Sequence, residues 1–160
     1  MKNSKLKILL KEIGKEPKIQ EIEDTLEAKQ KLVGGLIEIV PFQKNSDILI
    51  VCNEEGKVLN MLPNILFGYD YIAGDCFFIR DDYKGGFESL TDEDINDIKK
   101  NLIGKTIHYS KDELEQLHEE QKKYNEDYTT NLNDFFNDYY KDIINPINER
   151  SDDHLAEENI

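Results

Sequence analysis

The sequence predicts an α+β fold, a small mixed or antiparallel sheet with two short helices followed by an acidic helical extension. Three observations carry that prediction. Between residues 6 and 80, short β-prone apolar runs alternate with turn clusters such as Gly14-Lys15-Glu16-Pro17 and Asn53-Glu54-Glu55-Gly56, which is the punctuation of strands. Two helix-start signatures, Asp24 with Glu27 and Thr91 with Asp94, are each followed by a glycine stop. Beyond Gly104 the pattern changes to a helical period on a strongly acidic background.

Taken in order, residues 6–13 and 18–23 read as two strands of a hairpin, although Ile19 and Ile22 do not alternate cleanly enough to fix its register. Asp24 followed by Glu27 fits a capping box, with Leu26, Ala28, Leu32 and Val33 as the apolar side of a short helix. Gly34-Gly35 ends that helix, because glycine takes the left-handed conformation without steric cost. Three strands are expected at 36–42, 48–52 and 71–80. The middle one, Ile48-Leu49-Ile50-Val51-Cys52, is apolar throughout and reads as a central strand. Lys57-Val58-Leu59 is expected to return from the 53–56 turn as a short partner strand, and 61–68 to be a proline-containing connection. Thr91 and Asp94 open a helix running to about Ile103.

Ser110 with Glu113 opens the extension with a further capping-box pattern. Tyr124, Tyr128, Leu132, Phe135, Tyr139 and Ile143 then recur at spacings of four, four, three, four and four, one face of a helix, which Phe136, Tyr140 and Ile144 widen. Pro146 stops it, and 148–160 has the composition of a disordered terminus. The expected organisation is thus a module over 1–105, an acidic helical extension over 106–147 and a tail over 148–160.

Charge narrows the function classes. The chain of 160 residues has a formal net charge of −14. Residues 106–160 hold 5 Lys/Arg against 15 Asp/Glu, so most of the imbalance lies in the last third. Such a surface repels phosphate backbones and suits a basic protein surface instead. Arg80 and Arg150 are the only arginines, which weakens bidentate phosphate recognition further. No apolar run approaches the roughly 18 residues needed to span a bilayer, so a cytoplasmic protein is expected, with no membrane partner. Cys52 and Cys76 both sit in apolar runs and read as buried thiols, not a disulfide.

Several segments together resemble a known family. Glu21-Ile22-Glu23-Asp24-Thr25-Leu26-Glu27-Ala28, continuing to Leu32-Val33-Gly34-Gly35-Leu36-Ile37-Glu38, is similar to the pattern of domain of unknown function 3846. So are Asn53-Glu54-Glu55-Gly56-Lys57, Pro63-Asn64, Ile72-Ala73-Gly74 and Ser89-Leu90-Thr91-Asp92. The resemblance covers roughly residues 5–103, and the order of the motifs is more specific than any one of them. It implies a protein of phages, plasmids or conjugative elements of low-GC Gram-positive bacteria, and it carries no established activity. The acidic helices lie beyond the family pattern.

Catalytic and metal chemistry find little footing. Gly34-Gly35 follows a helix, where carbonyls are free, whereas a phosphate loop needs glycines before one. Asp75, Asp81 and Asp82 lack calcium-loop spacing, and His118-Glu119-Glu120-Gln121-Lys122 lacks the second histidine of a zinc-protease helix. No cofactor or metal is expected. If the module binds a ligand, the turn residues Asn53, Glu54 and Glu55 together with Asn64 are the first candidates, being poor core residues that match the family pattern. On the extension, Tyr124, Tyr128, Phe135 and Tyr139 beside Asp127, Asp134, Asp138 and Asp142 read either as a packing face, on the module or in a homodimer, or as a binding surface for a basic host protein. The expected function is a non-enzymatic accessory protein that blocks such a partner, an anti-defence inhibitor acting through an acidic, DNA-mimic-like surface. Sequestration of a nucleotide signal and metal-dependent hydrolysis are the alternatives.

Overall fold

The computed structural model describes residues 4–44 and 46–139. The chain divides into two compact units, Met1–Gln121 and Lys122–Ile160. Among the described residues, the first unit is built on an antiparallel sheet. It contains β1 (Lys5–Lys11), β2 (Lys18–Glu23), β3 (Ile37–Pro41), β4 (Ile48–Asn53), β7 (Cys76–Asp81) and the short β8 (Phe87–Glu88). Strand order is β2-β1-β7-β4-β3, with β8 paired to β7. A separate hairpin pairs β5 (Pro63–Phe67) with β6 (Asp70–Ala73). The helices are α1 (Leu26–Val33), α2 (Asp92–Leu102) and α3 (Lys111–Tyr139).

Both faces of the sheet are covered, and this explains the apolar runs. One face packs Leu6, Ile8, Val51, Phe77 and Ile79 with Val33 of α1. The other packs Leu9, Ile50 and Phe78 with Ile65 and Ile72 of the β5–β6 hairpin and Ile95 and Ile98 of α2. Strands buried on two sides have no polar alternation to display. The β1–β2 register settles what the sequence left open, setting Leu6 opposite Ile22 and Leu9 opposite Ile19.

The sequence reading needs four local corrections. Thr25, not Asp24, caps α1, its hydroxyl accepting from the Ala28 N–H at 3.1 Å. The Asp24 carboxylate instead takes the buried Lys29 ammonium at 2.7 Å. Lys29 therefore lies inward, while Leu26 is exposed. The expected 71–80 strand is two strands in different sheets, broken at Gly74. There φ is +85°, and a Cβ would lie 2.7 Å from the Met61 sulfur. Residues 57–59 form turns instead of a strand, with the Leu59 N–H bonded to Glu55 O at 2.8 Å in one helical turn. Finally, the 61–68 connection contains β5, which starts at Pro63, a place where a strand tolerates the missing donor.

Other expectations agree. Gly34 ends α1 at φ +78° with its N–H on Gln30 O. Thr91 and Asp94 form a reciprocal capping box on α2, so aspartate serves here where glutamate is usual. Ser110 accepts from the Glu113 N–H at 3.1 Å as α3 begins. Cys52 and Cys76 are free and buried. Burial raises both thiols, Cys52 to about 11, which keeps them protonated. Tyr140, Asp142, Ile143, Ile144, Pro146 and the 148–160 tail lie outside the described residues. Among the described residues, no helix is long and apolar enough to cross a membrane.

Candidate functional site

The module candidates separate into two environments. Asn53, at the end of β4, is buried. Its amide donates to Val33 O at 3.1 Å, and its Oδ1 accepts from the Glu55 N–H at 2.7 Å. The first bond occupies one of the carbonyls that a helix C-terminus leaves without a partner, and the second shapes the turn. Glu54 and Glu55 are exposed.

Asn64 is fully buried on β5 and joins the hairpin to the main sheet. Its amide donates to Lys11 O at 2.8 Å and Gly74 O at 2.9 Å, while its Oδ1 accepts from Lys11 Nζ at 2.9 Å. Lys11 is itself wholly buried, and its ammonium also reaches Glu12 O at 2.9 Å. No carboxylate among the described residues pairs with it. Burial accordingly pulls the Lys11 ammonium below the ordinary lysine value. Sequence reasoning had no signal for this pair, since Lys11 is one of several lysines in an amphipathic-looking segment.

Around the turn, Asn53 and Glu54 do line a common cavity of about 230 Å³, whereas Glu55 and Asn64 do not. Phe67 and Val40 form part of its apolar wall and are packed on the core behind it. Glu38, Glu54 and Asp70 bring carboxylates to the lining, against the single cation of Lys57. Lys57 bonds the Asp70 carboxylate and places its ammonium 4.9 Å from the Tyr71 ring centroid. The bond from Lys57 holds Asp70 below the ordinary carboxylate range, and the same bond raises Lys57. Lys57 belongs to the Asn53–Lys57 motif, but the sequence placed it in an expected short strand and not among the candidate site residues. Tyr71 and Asp70 come from the hairpin that the sequence reading took for parts of other segments.

Arg80 is committed within the fold. Its Nε and Nη2 donate to Asp94 at 3.0 and 3.2 Å, and its Nη1 to Asp47 at 3.0 Å. Burial raises the Asp94 carboxyl, but the bonds from Arg80 and Thr91 outweigh that and hold it below the usual range. The three aspartates weighed as cation ligands are engaged by backbone: Asp75 accepts from the distant Ile13 N–H, while Asp81 accepts from Tyr83 and Asp82 from Lys84 and Gly86 as ordinary turn groups. Among the described residues, no three His, Cys, Asp or Glu side chains gather as a metal site would require.

On α3, the second unit presents a different surface. Tyr124, Leu132 and Phe135 keep 45%, 40% and 62% of their area exposed. Asp127, Asp134 and Asp138 are exposed as well. Their spacings of seven and four place them on one helical ridge, adjacent to the line of 124, 128, 132, 135 and 139. Tyr128 and Tyr139 lie on α3 with side chains outside the described set.

These features define a small antiparallel α+β domain carrying an acidic, partly apolar helix. The chain belongs to the family of the domain of unknown function (DUF3846), whose model matches residues 6–103. That match ends one residue beyond α2 and leaves α3 outside. No curated protein and no solved structure matches the chain.

Proposed function

We propose that this protein is a non-enzymatic binder that blocks a basic surface of a host protein, with α3 as the docking element. The observation that carries this reading is the exposed row of Tyr124, Leu132 and Phe135 alongside the aspartate ridge 127, 134, 138. Aromatic side chains supply contact area, and the carboxylates select a cationic partner and steer its approach. Two copies joined through this face would bring like-charged ridges together, which disfavours a homodimer there. The family setting implied by the sequence motifs fits an accessory protein of a mobile element, and the ridge fits a DNA-mimic inhibitor of a host defence protein. Sequestration of a nucleotide signal draws less support, because the module cavity brings three carboxylates against Lys57.

The test is capture from a low-GC Gram-positive lysate on the immobilised full chain, beside an Asp127→Lys/Asp134→Lys/Asp138→Lys variant. The reading expects a host protein held by the wild type, released by raised salt and by duplex DNA, and absent from the variant. Retention equal on both proteins and indifferent to salt would sink it.

A further inference from the structure

We infer that the cavity beside the 53–60 turn receives a cationic side chain, an arginine foremost, from a basic polypeptide. This site is separate from α3: it lies in the module, within the family-matched segment. Its volume of about 230 Å³ is sized for a side chain more than for a drug-sized ligand, whose pockets run to roughly 300–1,000 Å³. The wall is apolar and aromatic where Phe67 and Val40 continue the core, and it suits the methylene stem of a long side chain.

Charge complementarity decides the occupant. Among the cavity's ionisable side chains, Glu38, Glu54 and Asp70 face one cation, Lys57. Lys57 is already paired with Asp70. Glu38 and Glu54 are exposed, and neither forms an ion pair among the described residues. An anionic ligand would meet three carboxylates offset by the one ammonium of Lys57, which Glu38 as well as Asp70 already draws on. A neutral apolar one would leave the excess charge unused. A guanidinium satisfies it, since its planar fork is weakly hydrated, bonds carboxylates in pairs and lies well on aromatic rings. The chain's own Lys57 demonstrates that a cation is accommodated here, with its ammonium held over Tyr71.

The experiment is a backbone NMR titration of the full chain with argininamide, using citrullinamide as the isostere with an uncharged side chain and the same α-amino group. Argininamide should give saturable shifts at the Gly56, Lys57, Tyr71 and Ala73 amides, and citrullinamide should not. A Glu38→Gln/Glu54→Gln variant, altered only at exposed positions, should bind argininamide about tenfold more weakly at unchanged Tm. The α3 triple-lysine variant should bind it as the wild type does, so failure here and failure of the α3 reading are told apart. Equal shifts with both amides, no loss in the double variant, or shifts confined to α3 would each overturn the assignment.

Discussion

The module and the outer half of α3 differ in where they put the residues that the sequence marks as candidates for recognition. In the module, two polar candidates for recognition, Asn53 and Asn64, are drawn inward, while Glu54 and Glu55 stay exposed. Asn64 and Lys11 are wholly buried and satisfy one another, and Asn53 serves the end of α1. On α3, large apolar groups stay exposed next to carboxylates. A buried polar group that keeps its bonds is evidence for architecture. The exposed apolar row beside the carboxylates is where the proposed docking falls. The contrast teaches where substitutions should change stability and where they should change binding.

The largest effect is expected at the Asn64–Lys11 pair. Asn64→Leu would leave a buried ammonium and two buried carbonyls short of partners, a loss of about 3 kcal/mol or more, read from the urea midpoint at constant slope. A loss below 1 kcal/mol would mean that water reaches the pair. Next comes Asp94, which both caps α2 and holds Arg80. Asp94→Ala should cost about 2 kcal/mol at neutral pH. Because its folded-state value lies below the ordinary 3.8, that contribution is complete above 3.8 and disappears as pH falls through the folded value. The wild type and variant should therefore converge in acid, measured by denaturation at stepped pH.

Lys11 gives a dependence of the opposite kind. Its folded-state value lies below the ordinary 10.5, so between the two values the unfolded chain holds more protons. Stability from this group rises with pH across that window. Comparing wild type with Lys11→Met should reveal the rise as a pH-dependent difference that levels off at 10.5 and above. A flat difference would show that the ammonium is solvated in the folded state. The smallest stability effect belongs to α3. Replacing Asp127, Asp134 and Asp138 by lysine should move the Tm little, each site contributing within about 0.5 kcal/mol, while abolishing partner capture. A large drop in Tm would recast the ridge as structural.

Much of the fold was legible because its signals are local. The Ile48–Cys52 run, the Gly34 stop and the Thr91–Asp94 cap each depend on neighbours within a few residues. What was missed depends on contacts distant in sequence. Pro63–Phe67 is a strand because 70–73 folds back on it, and Gly74 is a break because Met61 presses against it. The candidate site divides along the same line. Asn53 and Glu54 were found as turn residues of one motif, and they do share a cavity. Asn64 looked like a loop residue until the hairpin carried it against Lys11, 53 positions away. The α3 helix was readable from spacing alone, since helical periodicity needs no tertiary partner.

The most direct test of the central claim is competition on a purified captured partner. Its binding to labelled duplex DNA would be followed by fluorescence anisotropy as unlabelled full-length protein is added. The account predicts stoichiometric displacement of DNA by the wild type, weakened by salt and lost in the Asp127→Lys/Asp134→Lys/Asp138→Lys variant. A ternary complex, or displacement by the variant equal to that by the wild type, would contradict it.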